Sequence, residues 1–209
     1  MIIAVDGPTA SGKGTIASAI ARHFGLPHLD TGLLYRAVGR QVQLAGGDPD
    51  NAEHALAGAS FPDSLLDDPE LRSEDIGGFA SRVSVHHDVR TALLDRQRLF
   101  AQAECGAVLD GRDIGTVICP DADVKLFVTA SLDARTERRF AEMQGQGRDM
   151  TRNEVYAQIE RRDARDMGRK DAPLKPASDA FILDTTSLDK QASIEAAIAA
   201  VEDVRGQRG

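Results

Sequence analysis

The chain has 209 residues, 42% of them hydrophobic, and a formal net charge of −8. That length suits one α/β core of ordinary size with insertions. The acidic balance argues against a nucleic-acid polymer as partner, and no apolar run is long enough to span a bilayer. Cys105 and Cys119 are the only cysteines. Their spacing is of no metal-binding type, and two free thiols fit a reducing compartment. A core-type strand at the very N-terminus leaves no signal peptide, so the expectation is a cytoplasmic protein.

Ile2, Ile3, Ala4 and Val5 form a short apolar run ending at Asp6. The loop Gly7-Pro8-Thr9-Ala10-Ser11-Gly12-Lys13-Gly14-Thr15 follows, and Ile16, Ile20 and Phe24 then recur four apart, as on one helix face. Strand, Gly-rich loop and helix in that order are the context of a phosphate-binding loop. The helix N-terminus favours an anion through its unpaired N–H groups and dipole. Lys13 can reach outer phosphates, and the Thr15 hydroxyl can ligate magnesium. The common pattern has Ser or Thr directly after Lys; here Gly14 intervenes. A dinucleotide fingerprint at Gly12-x-Gly14, with Asp30 as the ribose acid, is disfavoured. That motif begins at the strand end, and several residues separate Val5 from Gly12.

Pro27 to Asp30 reads as a short strand or loop, with Asp30 or Thr31 as the N-cap of the next helix. That helix carries Leu33, Leu34, Ala37, Val38 and Leu44 and stops at Gly46-Gly47. Tyr35 and Arg36 sit beside its stripe. From Asp48 to about Asp68 the pattern weakens and reads as a small insertion. Glu70–Val85 and Asp88–Glu104 read as helices. The histidines between them, His86 and His87, are adjacent and do not share a helix face, which argues against a metal site. Ala107–Leu109, Val124–Val128 and Phe181–Leu183 read as buried strands separated by helices, which implies a parallel sheet covered on both faces. Ligands of such sheets sit at the C-terminal strand ends, where Asp6, Asp110 and Asp184 fall. Lys190 to about Val204 reads as a last helix, with Ile194, Ala197, Ile198 and Val201 facing the core. The tail from Gly206 to Gly209 is expected to fray.

Two constellations carry chemistry. Residues 135–170 hold nine Arg and one Lys against seven acids, a basic island of about +3 in an acidic chain. Thr151-x-x-Glu154 is a capping-box signature that starts a helix. On that helix Arg162, Asp166 and Arg169 fall at i, i+4 and i+7, on one face, with Arg165 nearby. Arg135 and Arg139 are four apart on the preceding helix, and Gln144 to Arg148 makes a flexible tip. Two helices with inward-facing arginines and a mobile tip describe a lid that could fold over phosphates. The second constellation is Asp110-Gly111-Arg112-Asp113. An acid at a strand end beside a phosphate loop often holds magnesium through its waters. Arg112 offers a planar fork for a phosphate, and an Arg112–Asp113 surface ion pair is the structural alternative.

Taken together, GPTASGKGT, DTGLLYR, ASRV with VR nine residues after its Ser, DGRDIGT, RRDARDMGRKDAPL and ILDTT resemble, in this order, the bacterial cytidylate kinase family. The resemblance runs from Met1 to about Val204 and is weakest between Asp48 and Asp68. GKGT is shared by the nucleoside-monophosphate kinase group; DGRD with RRDxRD is far more specific. The resemblance implies one nucleoside-monophosphate kinase domain over residues 1–209. It would comprise a core (1–35, 86–134 and 171–209), an acceptor-binding insertion (about 36–85) and a lid (about 135–170) on a parallel sheet of about five strands.

It further implies transfer of the γ-phosphoryl of ATP to CMP or dCMP, with Mg2+ and without a general base, by a monomer that binds neither nucleic-acid polymer nor membrane. Gly7, Pro8, Thr9, Ala10, Ser11, Gly12, Lys13, Gly14 and Thr15 would hold the ATP phosphates. Arg135 and Arg139 would meet ATP, and Thr15 and Asp110 would meet magnesium. Thr31 and Tyr35 would line the acceptor pocket. Arg36, Arg112 and Arg169 would grip the CMP phosphate, and Ser81, Arg90 and Asp113 would read cytosine. Arg162 and Asp166 would reach the ribose. Lys13, Arg36, Arg112, Arg139 and Arg169 would neutralise charge during transfer. Two competing readings are a different small-molecule kinase on the same scaffold, such as a shikimate kinase, and a non-enzymatic nucleotide switch. A guanine-reading N-K-x-D stretch, which a GTPase switch needs, does not occur.

Overall fold

Every described strand pairing in the sheet is parallel, and the order is β2-β3-β1-β4-β5. The strands are β1 (Ile2–Asp6), β2 (His28–Asp30), β3 (Ala107–Gly111), β4 (Val124–Thr129) and β5 (Phe181–Asp184) in this computed structural model, which describes residues 1–206. The described residues divide into two compact units, Met1–His28 with those from Ala103 onward, and Leu29–Gln102.

In the first unit β1 is the central strand, and Ile3, Ala4 and Val5 are fully buried. Its unbroken apolar run is what a parallel strand covered on both faces requires. Helices α1 (Lys13–Phe24) and α8 (Lys190–Gly206) pack on the sheet, and Ile16, Ile20, Ala197 and Val201 join Val5, Leu126 and Val128 in one core. Gly206 closes α8; the rest of the tail expected to fray lies outside the described residues. The register sets Asp6 opposite Gly111 of β3 and Phe127 of β4, and Thr129 opposite Asp184. The C-terminal strand ends therefore form one edge, and Asp6 lies on it. Asp184 forms a local turn there, since its Oδ1 accepts the N–H of Thr186 at 2.8 Å. Phe181 and Ile182 are half-exposed because β5 is an edge strand.

Helices α6 (Leu132–Gly145) and α7 (Arg152–Gly168) pack on each other through Met143, Val155 and Ile159, with Phe140 and Met150 alongside. The capping box is present: Thr151 Oγ1 accepts from the Glu154 N–H at 3.3 Å, and the Thr151 N–H donates to Glu154 Oε2 at 2.7 Å. One detail departs from the sequence pattern. Arg169 has left the helix, with φ −60° and ψ 138°. It caps α7 and does not continue the face of Arg162 and Asp166.

The second unit is helical: α2 (Thr31–Leu44), α3 (Ala52–Gly58), α4 (Glu74–Val83) and α5 (His87–Ala101). Leu34, Val38, Leu71, Ile76, Val83 and Leu93 are among its buried residues. Gly39 lets α2 meet α4 closely, since a Cβ there would lie 2.8 Å from Phe79 Cβ. The weakly patterned stretch after Asp48 contains α3, whose N-cap Asn51 accepts the N–H groups of Glu53 and His54 at 2.9 and 3.1 Å. The helix expected over Glu70–Val85 begins later. Pro69–Arg72 is a separate 3₁₀ turn, and Ser73, in extended conformation, caps α4 by accepting the Ile76 N–H at 3.3 Å. Asp30 occupies the N-cap position of α2 but makes no side-chain capping bond. Cys105 is exposed and Cys119 buried, and neither is in a disulfide.

Candidate active site

The phosphate loop takes its shape from close contacts. A Cβ on Gly7 would collide with the Val128 carbonyl oxygen of β4, so only glycine fits where the chain leaves β1. Ala10 (φ 60°) and Gly12 (φ 89°) take left-handed conformations that turn the loop into the start of α1. Lys13 and Thr15 lie in the first turn of that helix, which carries no acidic residue of its own to compete for the positive end of the dipole. Gly14, the departure from the common motif, faces Asp110: a Cβ there would lie 3.7 Å from Asp110 Oδ2.

The carboxylate of Asp110, 2% exposed, therefore sits against the first turn of α1. His28 Nε2 holds its Oδ1 at 2.8 Å. His28 is a site-shaping residue that the sequence pattern does not single out. Among the described residues no group of three or more His, Cys, Asp or Glu could hold a metal by itself. One carboxylate against the first turn of α1 suits magnesium, which keeps waters and shares its coordination with substrate phosphates.

Arg112 links three segments. Its Nε donates to Asp166 Oδ2 at 2.7 Å, its Nη2 to Thr9 Oγ1 at 3.0 Å, and its Nη1 to the Gly111 carbonyl at 3.3 Å. Asp166 of α7 forms an ion pair with Arg112, a partner that the sequence spacing does not single out. Burial works against the Asp166 charge, yet Arg112, Arg169 and Arg162 hold its carboxyl below the usual carboxylate range. Burial also opposes the Arg112 charge, and Asp166, Asp110 and Asp163 outweigh it, so the guanidinium is more firmly protonated than usual. Arg169 is buried, and its Nε donates to the Asp166 carbonyl at 3.3 Å. The structure thus gathers Arg112, Arg162, Asp166 and Arg169 into one charged cluster.

Arg135 is 6% exposed and donates to three protein groups. These are the Ala130 carbonyl (2.9 Å), the Thr9 carbonyl of the phosphate loop (3.1 Å) and Asp163 Oδ2 of α7 (2.5 Å). Arg139 instead pairs with Glu142 at 2.7 Å and lines a cavity of about 380 Å3 with Gly12, Thr15, Ile16, Leu188 and Lys190. Arg138, unassigned from the sequence, donates to Thr185 Oγ1 (2.9 Å), to the Thr185 carbonyl and to the Leu188 carbonyl (3.3 Å). Thr185 Oγ1 in turn donates to the Ser11 carbonyl at 3.3 Å. The tip between α6 and α7 is short and polar.

In the second unit Arg36 donates to the carbonyls of Leu71 (2.7 Å) and Ser73 (2.8 Å), and its guanidinium fills the room that Gly77 leaves. Arg90, buried, stacks on Tyr35 with its guanidinium carbon 5.8 Å from the ring centroid. Its Nη1 lies 3.5 Å from the Ser84 carbonyl, and Ser84 Oγ donates to the Ser81 carbonyl at 3.0 Å. Thr31 and Ser81 are buried.

A parallel sheet whose central strand feeds a glycine-rich loop into a helix start, with Arg112 after β3 and Arg135 of α6 both bonded to that loop, defines a phosphotransferase of the phosphate-binding-loop class. Residues 3–203 match the family model described as cytidylate kinase. The cytidylate kinase of Methylocella silvestris is 54% identical over 203 residues, 97% of this chain and 94% of that protein. Those of Xanthobacter autotrophicus (52% over 208 residues, 100% of both) and Caulobacter vibrioides (51% over 207 residues, 99% and 97%) are similar over their whole length. This chain belongs to the cytidylate kinase family. Among solved structures, an uncharacterized protein from Eubacterium ventriosum matches 98% of both chains with TM-score 0.55 and 15% identity, a likeness of fold alone. No helix among the described residues is long and apolar enough to cross a membrane.

Proposed function

We infer that this chain catalyses ATP + CMP → ADP + CDP, with dCMP as an alternative acceptor. The observation that carries the reading is the Arg112–Asp166–Arg169 cluster bonded to the phosphate loop through Thr9, in a chain of the cytidylate kinase family. In this reading residues 7–15 hold the ATP phosphates, and the cavity lined by Arg139 and Lys190 takes the donor nucleoside. Thr31 and Tyr35 line the acceptor pocket. Arg36, Arg112 and Arg169 grip the acceptor phosphate, while Arg162 and Asp166 reach the ribose. Ser81, Arg90 and Asp113 read the base. Cytosine offers an amino donor to a carboxylate and ring acceptors to an arginine. Uracil puts a carbonyl where the amino group was, so it is rejected through unpaired and repelling groups.

Phosphoryl transfer is assisted by alignment and charge stabilisation and asks for no general base. Lys13 and the arginines supply positive charge where it develops. By analogy with arginine fingers, loss of one that acts on the transferring group lowers kcat by about 10³–10⁵. Thr15 and Asp110 would hold Mg2+, which supplies charge neutralisation on the phosphate oxygens. Arg135 contributes by fixing the loop through Thr9 and the lid through Asp163. The core, acceptor-binding insertion and lid boundaries given above belong to this reading, as does a monomeric, cytoplasmic enzyme.

The test is ADP release with ATP and magnesium and, separately, CMP, dCMP, UMP, AMP and shikimate. Turnover on CMP and dCMP with weak UMP is expected; activity on AMP or shikimate with none on CMP refutes the reading. Asp113→Ala is expected to lose the preference for CMP over UMP more than it loses ATP binding. Unchanged selectivity in that variant removes Asp113 from the base-reading set.

A further inference from the structure

Asp6 is the last residue of β1 and immediately precedes the phosphate loop. It is 5% exposed, and both of its carboxylate oxygens are engaged. Oδ1 accepts the N–H of Ile114 at 2.8 Å, and Oδ2 accepts the N–H of Gly115 at 2.8 Å. These two donors open the single π-helical turn Ile114–Ile118 that follows Asp113 directly. Asp113 itself lies at φ −147°, ψ 24°, outside both helix and strand regions, and its carbonyl accepts the N–H groups of Val117 (2.9 Å) and Ile118 (3.2 Å) of that turn. The two bonds to Asp6 anchor the turn to the end of β1, from a residue more than a hundred positions away. Gly115 packs closely here: a Cβ there would lie 3.2 Å from the Lys125 stem and 3.5 Å from Asp6 Oδ2.

We propose that Asp6 is a positioning residue that sets acceptor specificity, because its two-oxygen clamp on the Ile114 and Gly115 N–H groups fixes the turn that presents Arg112 and Asp113 to the acceptor. This rests on the reading of Asp113 as a base-contacting residue. A carboxylate is required for the clamp. It offers acceptor lone pairs on both oxygens, whereas an amide of the same shape would turn its NH2 toward one of the two N–H donors. Protonation has a similar effect, since one oxygen becomes a hydroxyl. Burial raises the Asp6 pKa from 3.8 to about 7, against the two backbone bonds; Asp113 raises it further and Arg112 lowers it. From β4, Lys125 presents only its stem to this turn, and its ammonium is paired with Asp179 at 2.8 Å. The clamp therefore loosens as the pH falls through neutrality.

The first measurement needs no variant. In wild-type protein the amide proton resonances of Ile114 and Gly115 are followed by NMR over pH about 5.5 to 8.5. Both are expected to move together, with a midpoint near 7. Second, Asp6→Asn is assayed with ATP against CMP and UMP. Loss of one charged hydrogen bond predicts a fall in the CMP:UMP ratio of kcat/KM of about ten- to a hundredfold. The KM for ATP is expected to change less than about twofold, and the variant should lack the acidic limb in its pH profile. A purely structural Asp6 would raise both KM values and leave the ratio intact. That result, or amide resonances that do not titrate, overturns the proposal. Should the amides titrate while Asp113→Ala keeps full selectivity, the base-reading role of Asp113 and the specificity claim fall together, and the clamp alone stands.

Discussion

At the scale of single residues, the site places two carboxylates under opposite pressures. Asp6 is driven up to about 7 mainly by burial. Asp166 is held down by three arginines that outweigh its burial. Linkage gives each a sign. Between about pH 4 and 7 native Asp6 holds a proton that its unfolded form has released, so its contribution to stability falls as the pH rises through that window. A shift of this size corresponds to on the order of 4 kcal/mol. Asp166 behaves conversely: its contribution is present above about pH 4 and is lost as the pH falls through its depressed native value. Denaturant unfolding at a series of pH values is expected to show Asp6→Asn gaining stability relative to wild type from pH 5 to pH 8. A constant difference across that range would contradict the raised Asp6 value. Neither partner set was legible in the sequence. Asp6 finds its N–H donors 108 and 109 positions away, and Arg112 finds Asp166 54 positions away. Spacing arguments read one helix face or one loop, and these contacts exist only once the sheet has brought its strand ends to one edge.

At the scale of elements, local signals were the readable ones. The strand–loop–helix at the N-terminus, the three later strands and the Thr151–Glu154 box all depend on residues within a few positions of each other, and each is present in the fold. The misses have local causes too. Helix α3 has only seven residues, too few for a periodic stripe, and its start is marked by Asn51 alone. The break between the Pro69–Arg72 turn and α4 depends on Ser73 taking an extended conformation, which Ala or Glu at that point would not favour. Arg169 fell on the α7 face by counting, but the helix ends one residue before it. The capping box makes a measurable contribution: Thr151→Ala is expected to cost about 1 kcal/mol. In a chain of this size that lowers Tm by about 2–4 °C. An unchanged Tm by calorimetry would mean that the start of α7 does not limit the stability of the unit that contains it.

For the whole molecule, the distribution of charge matters more than its sum. A chain of net −8 carries an excess of about +3 in residues 135–170, and two of those arginines, Arg135 and Arg169, are buried, Arg135 paired with Asp163. On the proposed reading, nucleotides engage this region only in the folded protein. At a hundred times its dissociation constant, each is expected to stabilise the fold by about 2.7 kcal/mol. In thermal unfolding ATP with magnesium and CMP should each raise Tm by several degrees and UMP by less; equal shifts for CMP and UMP would contradict base reading in the resting protein. The Arg112–Asp166 pair also has a kinetic meaning. On the proposed acceptor reading, Asp166 is an internal competitor for Arg112. An arriving phosphate competes with it for the guanidinium charge, and a departing product finds it ready to return. The arginine cluster is then never left bare between turnovers, and the same carboxylate that weakens capture of substrate hastens escape of product.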